Sequence, residues 1–187
     1  MHTDTIHLDP VGMRQDPRLA GGVLRWHTWP HLKPETLAEH QWNVARIIYA
    51  ICPNPSPRLI REALFHDIGE IVSGDMPYPV KANNPKLKTE VDRIENQGRL
   101  EMCLPWDVPA HVELEPHEKQ FLKLADMIDM WEWAMKESMM GNQFAGPVIG
   151  RALKHIRTLV PESQSFNSEP WHAPVNHYIA KRLSTWG

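Results

Sequence analysis

His66 and Asp67 stand side by side in Ala63-Leu64-Phe65-His66-Asp67-Ile68-Gly69-Glu70, a stretch dominated by apolar residues. A charged pair inside an apolar helix needs a compensating partner, and a divalent ion supplies one. Adjacent helical positions diverge by about 100°, yet a long imidazole and a short carboxylate can still reach one ion in a groove between helices. The dipeptide alone is common by chance, so its companions decide. His40 follows Glu39 on the preceding segment, and Leu124-Ala125-Asp126-Met127-Ile128-Asp129 offers two carboxylates, Asp126 and its rival Asp129. Two imidazoles and two carboxylates from three helices make a mixed nitrogen and oxygen set. It suits one divalent transition ion such as Co, Mn, Fe, Zn or Ni, with positions left for water. Glu70, four residues after His66 and three after Asp67, shares their helical face without having to bind the ion. It is the candidate for orienting or deprotonating a nucleophilic water.

The elements that must position these groups read as helices, because Gly and Pro cut the chain into helix-sized pieces and Val/Ile/Thr alternation is scarce. Thr36-Leu37-Ala38-Glu39 is a capping box that opens a helix running to about Cys52. Ser56-Pro57 opens a second, expected to continue through Ile68 and end near Ser73-Gly74. Gly74-Asp75-Met76-Pro77-Tyr78-Pro79 is expected to be non-helical, with Asn84-Pro85 starting a third helix that reaches roughly Cys103. Pro116 begins the longest helix, ended by Gly141-Asn142, and Pro147 begins another, ended by Pro161. A surface loop over Pro161–Pro170 then precedes a short helix from about Pro174 to Leu183. The fold class is all-α, a bundle of about six to seven helices, in a single domain over residues 1–187. Residues 1–35 form an irregular arm that contributes to the substrate pocket.

Composition narrows the function. Twenty Lys plus Arg against 23 Asp plus Glu leave a net charge of -3, which argues against a nucleic-acid polymer as partner and leaves small anionic substrates open. Cys52 and Cys103 have no disulfide-framework or zinc-ribbon spacing, so a reducing cytoplasm is the expected location. No apolar run is long enough to suggest a signal peptide or a membrane span. His27, His31, His111, His117, His155, His172 and His177 lack partners at ligand spacing, and Trp42, Trp131 and Trp133 read as core or subunit contacts.

The ordered set Arg25-Trp26, Glu39-His40, His66-Asp67-x-x-Glu70, Gly74-Asp75-x-Pro77-x-Pro79-x-Lys81 and Ala125-Asp126 resembles the HD-domain phosphohydrolases. It specifically resembles the bacterial 5'-deoxynucleotidases that dephosphorylate deoxynucleoside monophosphates. The likeness runs from about residue 24 to 150. The Leu24-Arg25-Trp26-His27 and Met76-Pro77-Tyr78-Pro79 segments also resemble deoxyadenosine triphosphate triphosphohydrolases of phages that replace adenine with diaminopurine. That resemblance would put the protein in a host cytoplasm. The resemblance implies that His40, His66, Asp67 and Asp126 hold the ion, leaving Asp129 as an outer partner, and that Glu70 works on the water. It also implies that Arg25 and Lys81 hold phosphate oxygens and stabilise developing charge, and that Asp75 accepts a hydrogen bond from the sugar 3'-hydroxyl. Trp26 would lie against sugar or base and exclude a 2'-hydroxyl or an exocyclic amino group. The implied reaction is hydrolysis of deoxynucleotides at the α-phosphorus, deoxyadenosine nucleotides favoured, by a homo-oligomer. The alternatives are an HD hydrolase of a cyclic nucleotide or guanosine alarmone, and a catalytically silent nucleotide-binding domain. Trp29-Pro30-His31 departs from the family pattern, so base contacts there are not carried over.

Overall fold

The structure is a computed structural model that describes residues 16–104, 107–160 and 172–186. The expected loop over Pro161–Pro170 and the first fifteen residues of the arm lie outside the described residues. The described part of the arm is more regular than expected. A short helix α1 (Pro17–Gly21), capped by the Asp16 carboxylate, leads into β1 (Leu24–Arg25), which pairs antiparallel with β2 (Glu35–Thr36). The register sets Leu24 opposite Thr36 and Arg25 opposite Glu35. Two residues per strand are too few to show period-2 patterning, so the ladder has no signal in the sequence.

Thr36 then does what a capping box requires. Its Oγ1 accepts the Glu39 amide at 3.2 Å and its own amide donates to the Glu39 carboxylate at 2.9 Å, opening α2 (Leu37–Ile51). Ser56 Oγ accepts the Leu59 amide at 3.2 Å and Pro57 opens α3 (Pro57–Phe65). Here the expectation of a continuous helix through Ile68 to Ser73 fails, because α3 stops at Phe65. A turn over residues 66–69 leads to the separate short helix α4 (Glu70–Ser73). The turn uses tightened bonds, Ile68 N to Phe65 O at 3.2 Å and Glu70 N to Asp67 O at 2.9 Å. Tertiary packing causes the break. A Cβ on Gly69 would lie 2.0 Å from the Glu95 carbonyl oxygen, so the chain meets another backbone there at a distance only glycine permits.

Only residues 74–77 of the next segment are non-helical, since a short helix α5 (Tyr78–Asn83) that was not expected takes up Tyr78 and Pro79. Pro79 sits in its first turn, where a missing amide hydrogen costs nothing. α6 (Pro85–Cys103) follows as expected. α7 (Pro116–Met139) is the longest helix and terminates before Gly141, whose φ of 99° only glycine adopts easily. A 3-10 turn (Gln143–Ala145) feeds α8 (Gly146–Leu159), and α9 (His172–Trp186) runs longer at both ends than the expected Pro174–Leu183.

α7 is the central element, packed against α2, α3 and α8. Val44, Ile47, Ile48 and Ile51 of α2 recur at helical spacing and close on Leu124, Ile128 and Trp131 of α7, with Ala152 and Ile156 of α8 and Val175 of α9 completing the core. The same two helices carry His40 and Asp126. The all-α expectation holds, with the two-residue ladder as a small addition. No helix among the described residues is long and apolar enough to cross a membrane.

Candidate metal centre and active site

His40 lies fully buried on α2, one turn into the helix that the capping box opens. Its Nδ1 is 2.6 Å from Asp129 Oδ2 on α7. A carboxylate accepts, so Nδ1 carries the proton and Nε2 offers its lone pair. His66, at the end of α3, is fixed in the same way: Nδ1 donates to the Ala63 carbonyl at 2.9 Å, where the helical ladder stops. The two Nε2 atoms therefore face each other at 3.3 Å. Asp67 Oδ2 is 3.2 Å from His66 Nε2 and 3.5 Å from His40 Nε2, and Asp126 Oδ1 is 3.5 Å from His40 Nε2. Three of the four predicted ligands thus converge, with ligand atoms of His40, His66 and Asp67 all within 4.8 Å of one another, while Asp126 reaches the cluster through His40 and is not part of that group.

Two Nε2 atoms facing each other in a buried space need a shared proton or a cation between them. The donor set therefore fits a divalent cation, and the helix break at residues 66–69 is what turns Asp67 into it. Acidic groups also outnumber cations: Glu35, Asp67, Glu70, Asp75, Asp126 and Asp129 surround Arg25, with Lys81 at the edge. Burial and the Arg25 guanidinium lower the basicity of His40, but the Asp129 and Asp67 carboxylates outweigh them and push it up to about 10. Burial opposes a proton on His66 too, and Asp67 overcomes it. Against the effect of burial, the two imidazoles hold the Asp67 carboxyl well below the usual range.

Glu70, 6% exposed at the start of α4, has an Oε2 without a hydrogen-bond partner. Burial first, and then the Asp67 charge, push its carboxyl upward against the pull of Arg25 and Lys81. It lines a cleft of about 190 Å³ with His66, Asp67, Asp92, Glu95 and Arg99. A larger groove of about 790 Å³ reaches Glu35 and Asp129 from the far side but includes none of the four predicted ligands. The smaller cleft is the one beside the chemistry.

Arg25 is nearly buried, with Nε 3.3 Å from Glu35 Oε2 and Nη1 3.6 Å from Asp67 Oδ2. Burial works against its charge, and the Glu35, Asp126 and Asp67 carboxylates more than restore it. Lys81 on α5 lies 3.6 Å from Glu95 Oε1, which also accepts from Ser73 Oγ at 2.9 Å. Asp75 uses Oδ2 to accept the Trp26 amide at 3.2 Å, so one of its oxygens is engaged within the protein. Trp26 itself has φ 63°, a left-handed conformation that costs a bulky residue about 1–3 kcal/mol and persists only where the surroundings enforce it. They do so three times: Asp75 holds its amide, Glu35 Oε2 accepts its Nε1 at 2.9 Å, and Trp133 stacks on its ring at 4.0 Å and 4°. One indole face is therefore taken by Trp133.

Several neighbours were not foreseen. Glu35 had no motif to mark it, and Arg99, which clamps Glu62 through two bonds of 2.9 and 2.6 Å beside the His66 turn, looked like an ordinary helical charge. Arg99 is only 6% exposed. Of the two expected roles, core or subunit contact, Trp131 and Trp133 take the first, and Trp42, 62% exposed, lies outside the core.

The family profile described as 5'-deoxynucleotidase YfbR-like matches residues 21–169, which include every predicted site residue. The chain belongs to the YfbR-like 5'-deoxynucleotidase family. Among YfbR-like relatives, a 5'-deoxynucleotidase of Pasteurella multocida is 31% identical over 140 residues, covering 65% of this chain and 71% of that one. A 5'-deoxynucleotidase of Yersinia pestis is 28% identical over 138 residues, covering 64% and 70%. The architecture of this YfbR-like chain is that of an HD-domain phosphohydrolase from Listeria innocua, with a TM-score of 0.64 at 18% identity, covering 92% of this chain and 86% of the other. A Pyrococcus horikoshii protein shares the fold with a TM-score of 0.62 at 18% identity, covering 91% and 98%.

Proposed function

We propose that this protein hydrolyses deoxynucleotides at the α-phosphorus, releasing the deoxynucleoside with phosphate or triphosphate and favouring deoxyadenosine nucleotides. One divalent transition ion would be held by His40, His66, Asp67 and Asp126. The observation that carries the reading is the pair of imidazole Nε2 atoms 3.3 Å apart, each with its Nδ1 hydrogen bonded away from the site. Membership of the YfbR-like family supports the substrate class.

Such an ion, when bound, lowers the pKa of a water and gives a positive centre to a phosphate oxygen. Glu70 presents its unpartnered Oε2 to the attacking water and would take its proton once a bound cation offsets the burial and the Asp67 charge that by themselves push its carboxyl up to about 9. The water oxygen attacks phosphorus in line, the bond from phosphorus to the 5'-oxygen breaks, and that oxygen leaves as the hydroxyl with a proton from solvent, to which Glu70 returns the one it took. Arg25, held beside Asp67, and Lys81, more remote, stabilise the charge on the transferred group. Asp75, which also holds the Trp26 amide, accepts the sugar 3'-hydroxyl, and Trp26, fixed against Trp133, bars a 2'-hydroxyl. The preference for deoxyadenosine is supported by the Met76-Pro77-Tyr78-Pro79 resemblance.

Product analysis tests this. The purified protein with Co or Mn is given deoxyadenosine mono- and triphosphate, their guanine and ribose counterparts, a cyclic nucleotide and a guanosine alarmone. Release of deoxyadenosine is the expected result, and turnover confined to the cyclic nucleotide or alarmone overturns it. Glu70→Ala should keep the ion while kcat falls about 100- to 10,000-fold, the usual contribution of a general base. Full activity in that variant removes Glu70 from the mechanism.

A further inference from the structure

We infer that Glu35 is the positioning residue for the substrate side of the site: its one carboxylate fixes Arg25 and Trp26 together. What those two residues bind rests on the deoxynucleotidase reading, but their placement by Glu35 does not.

Glu35 is 5% exposed on β2, opposite Arg25 in the two-residue ladder. Burying a carboxylate there is costly unless charge and hydrogen bonds compensate it. Two groups do so through the same oxygen: Trp26 Nε1 donates to Oε2 at 2.9 Å, and Arg25 Nε lies 3.3 Å from it. The contact with Arg25 is ionic and not a well-aligned hydrogen bond, since Nε has no hydrogen-bond partner by geometry. The partition between the two guanidinium contacts matters. Asp67 also lies near Arg25, at 3.6 Å from Nη1, but its oxygen points into the His40 and His66 cluster. Glu35 also lies within ligand distance of His40 and Asp129, but its Oε2 is turned to Arg25 and Trp26. Burial and the Asp129 charge push its carboxyl up to about 7 and Arg25 opposes them, so it keeps the guanidinium in place at Nε, away from Asp67 at Nη1. For Trp26 the argument is backbone strain. A left-handed tryptophan at φ 63° reverts unless its side chain is held, and the Glu35 bond locks the indole edge while Trp133 covers its face. The short ladder thereby acquires a purpose: it brings Glu35 across from Arg25 and beside Trp26.

The experiment uses the full chain loaded with Co and follows two readouts that need no turnover. One is affinity for inorganic phosphate by calorimetry, which reports Arg25. The other is the circular-dichroism exciton couplet of the parallel Trp26–Trp133 pair, assigned by its loss in Trp26→Phe. Glu35→Gln keeps an amide oxygen for the indole N–H but removes the charge, so the couplet should persist while phosphate affinity falls about tenfold, the difference expected between charged and neutral partners. Glu35→Ala should lose the couplet as well. In deoxynucleotide kinetics Glu35→Gln should raise KM more than it lowers kcat. A Glu35→Gln protein with the phosphate affinity of the wild type overturns the inference, as does a Glu35→Ala protein with a full couplet. Should Glu35→Ala fail to fold, Glu35→Gln alone decides. A wild-type protein inert towards every nucleotide would remove the deoxynucleotidase reading and leave both readouts in force.

Discussion

Asp129 Oδ2 lies 2.6 Å from Nδ1 of His40, one turn along α7 from Asp126, whose Oδ1 faces Nε2 of the same ring. One helix therefore addresses both nitrogens of one imidazole, the first carboxylate on the side of the proposed ion and the second as the group that fixes the tautomer. Outer partners of this kind typically contribute 10- to 100-fold to metal affinity. Asp129→Ala should accordingly bind Co about 10- to 100-fold more weakly in competition with a chelator, with Asp129→Asn in between. Unchanged affinity in the alanine variant would mean that packing alone aims His40.

The charge on His40 predicts opposite pH trends for the metal-free and metal-loaded protein. Its folded value is raised from 6.5 to about 10, burial and Arg25 opposing the shift and the Asp129 and Asp67 carboxylates driving it. A group raised on folding stabilises fully below its unfolded value, and that contribution disappears as pH climbs through the folded one. The melting temperature of chelator-treated protein should therefore decline between about pH 6.5 and 10. Protons and the ion compete for Nε2, so the rise in melting temperature on adding Co should grow over the same interval. Scanning calorimetry at several pH values checks both slopes, and a Co increment that shrinks with rising pH contradicts the assignment of His40 as a ligand.

Gly69 offers a test of how the site is shaped. A Cβ there would sit 2.0 Å from the Glu95 carbonyl oxygen, and one on Gly98 would sit 2.1 Å from Val72 Cγ2. The first obstacle is backbone and the second a side-chain methyl that can rotate. Gly69→Ala should thus lie at or beyond the upper end of the about 1–3 kcal/mol typical of overpacking, and Gly98→Ala well below it. Urea denaturation of both variants measures the difference. Equal losses would show that the turn and α6 can separate without cost.

That close approach also explains which features were legible in the sequence. Helix starts at Thr36, Ser56 and Pro116 are declared by residues within one turn of the event, so local chemistry suffices. The approach of His40, His66 and Asp67 was legible because an ordered motif carries them, even though His66 and Asp67 lie in a turn and not on the expected helix. The break after Phe65 was not, since an apolar stretch from Ala63 to Ile68 looks helical until α6 arrives against Gly69. Glu35 and the left-handed Trp26 escaped for a related reason: they depend on a two-residue register and on Trp133, more than one hundred residues away.

Glu137 predicts how the segment before the capping box responds to acid. The carboxylate is 1% exposed and accepts the Leu32 amide at 2.7 Å, the Lys33 amide at 3.0 Å and Asn142 Nδ2 at 2.8 Å. Asn142 Nδ2 also donates to the Pro30 carbonyl at 2.9 Å, so the end of α7 clasps the Trp29-Pro30-His31 stretch that departs from the family pattern. Burial alone would raise this carboxyl, but the Leu32, Asn142 and Lys33 hydrogen bonds outweigh it and hold it below 4.5. A carboxyl lowered on folding stabilises above its unfolded value, and the contribution is lost as pH falls through the folded value. Exchange protection of the Leu32 and Lys33 amides should be level down to about pH 4.5 and fall below it. In Glu137→Ala these donors lose their acceptor at a cost of about 1–3 kcal/mol for each one left without water, so their protection should be lost at neutral pH as well. If both amides stay protected in Glu137→Ala, the stretch is held by Trp29 and its bond to the Phe144 carbonyl, and Glu137 is not the clasp.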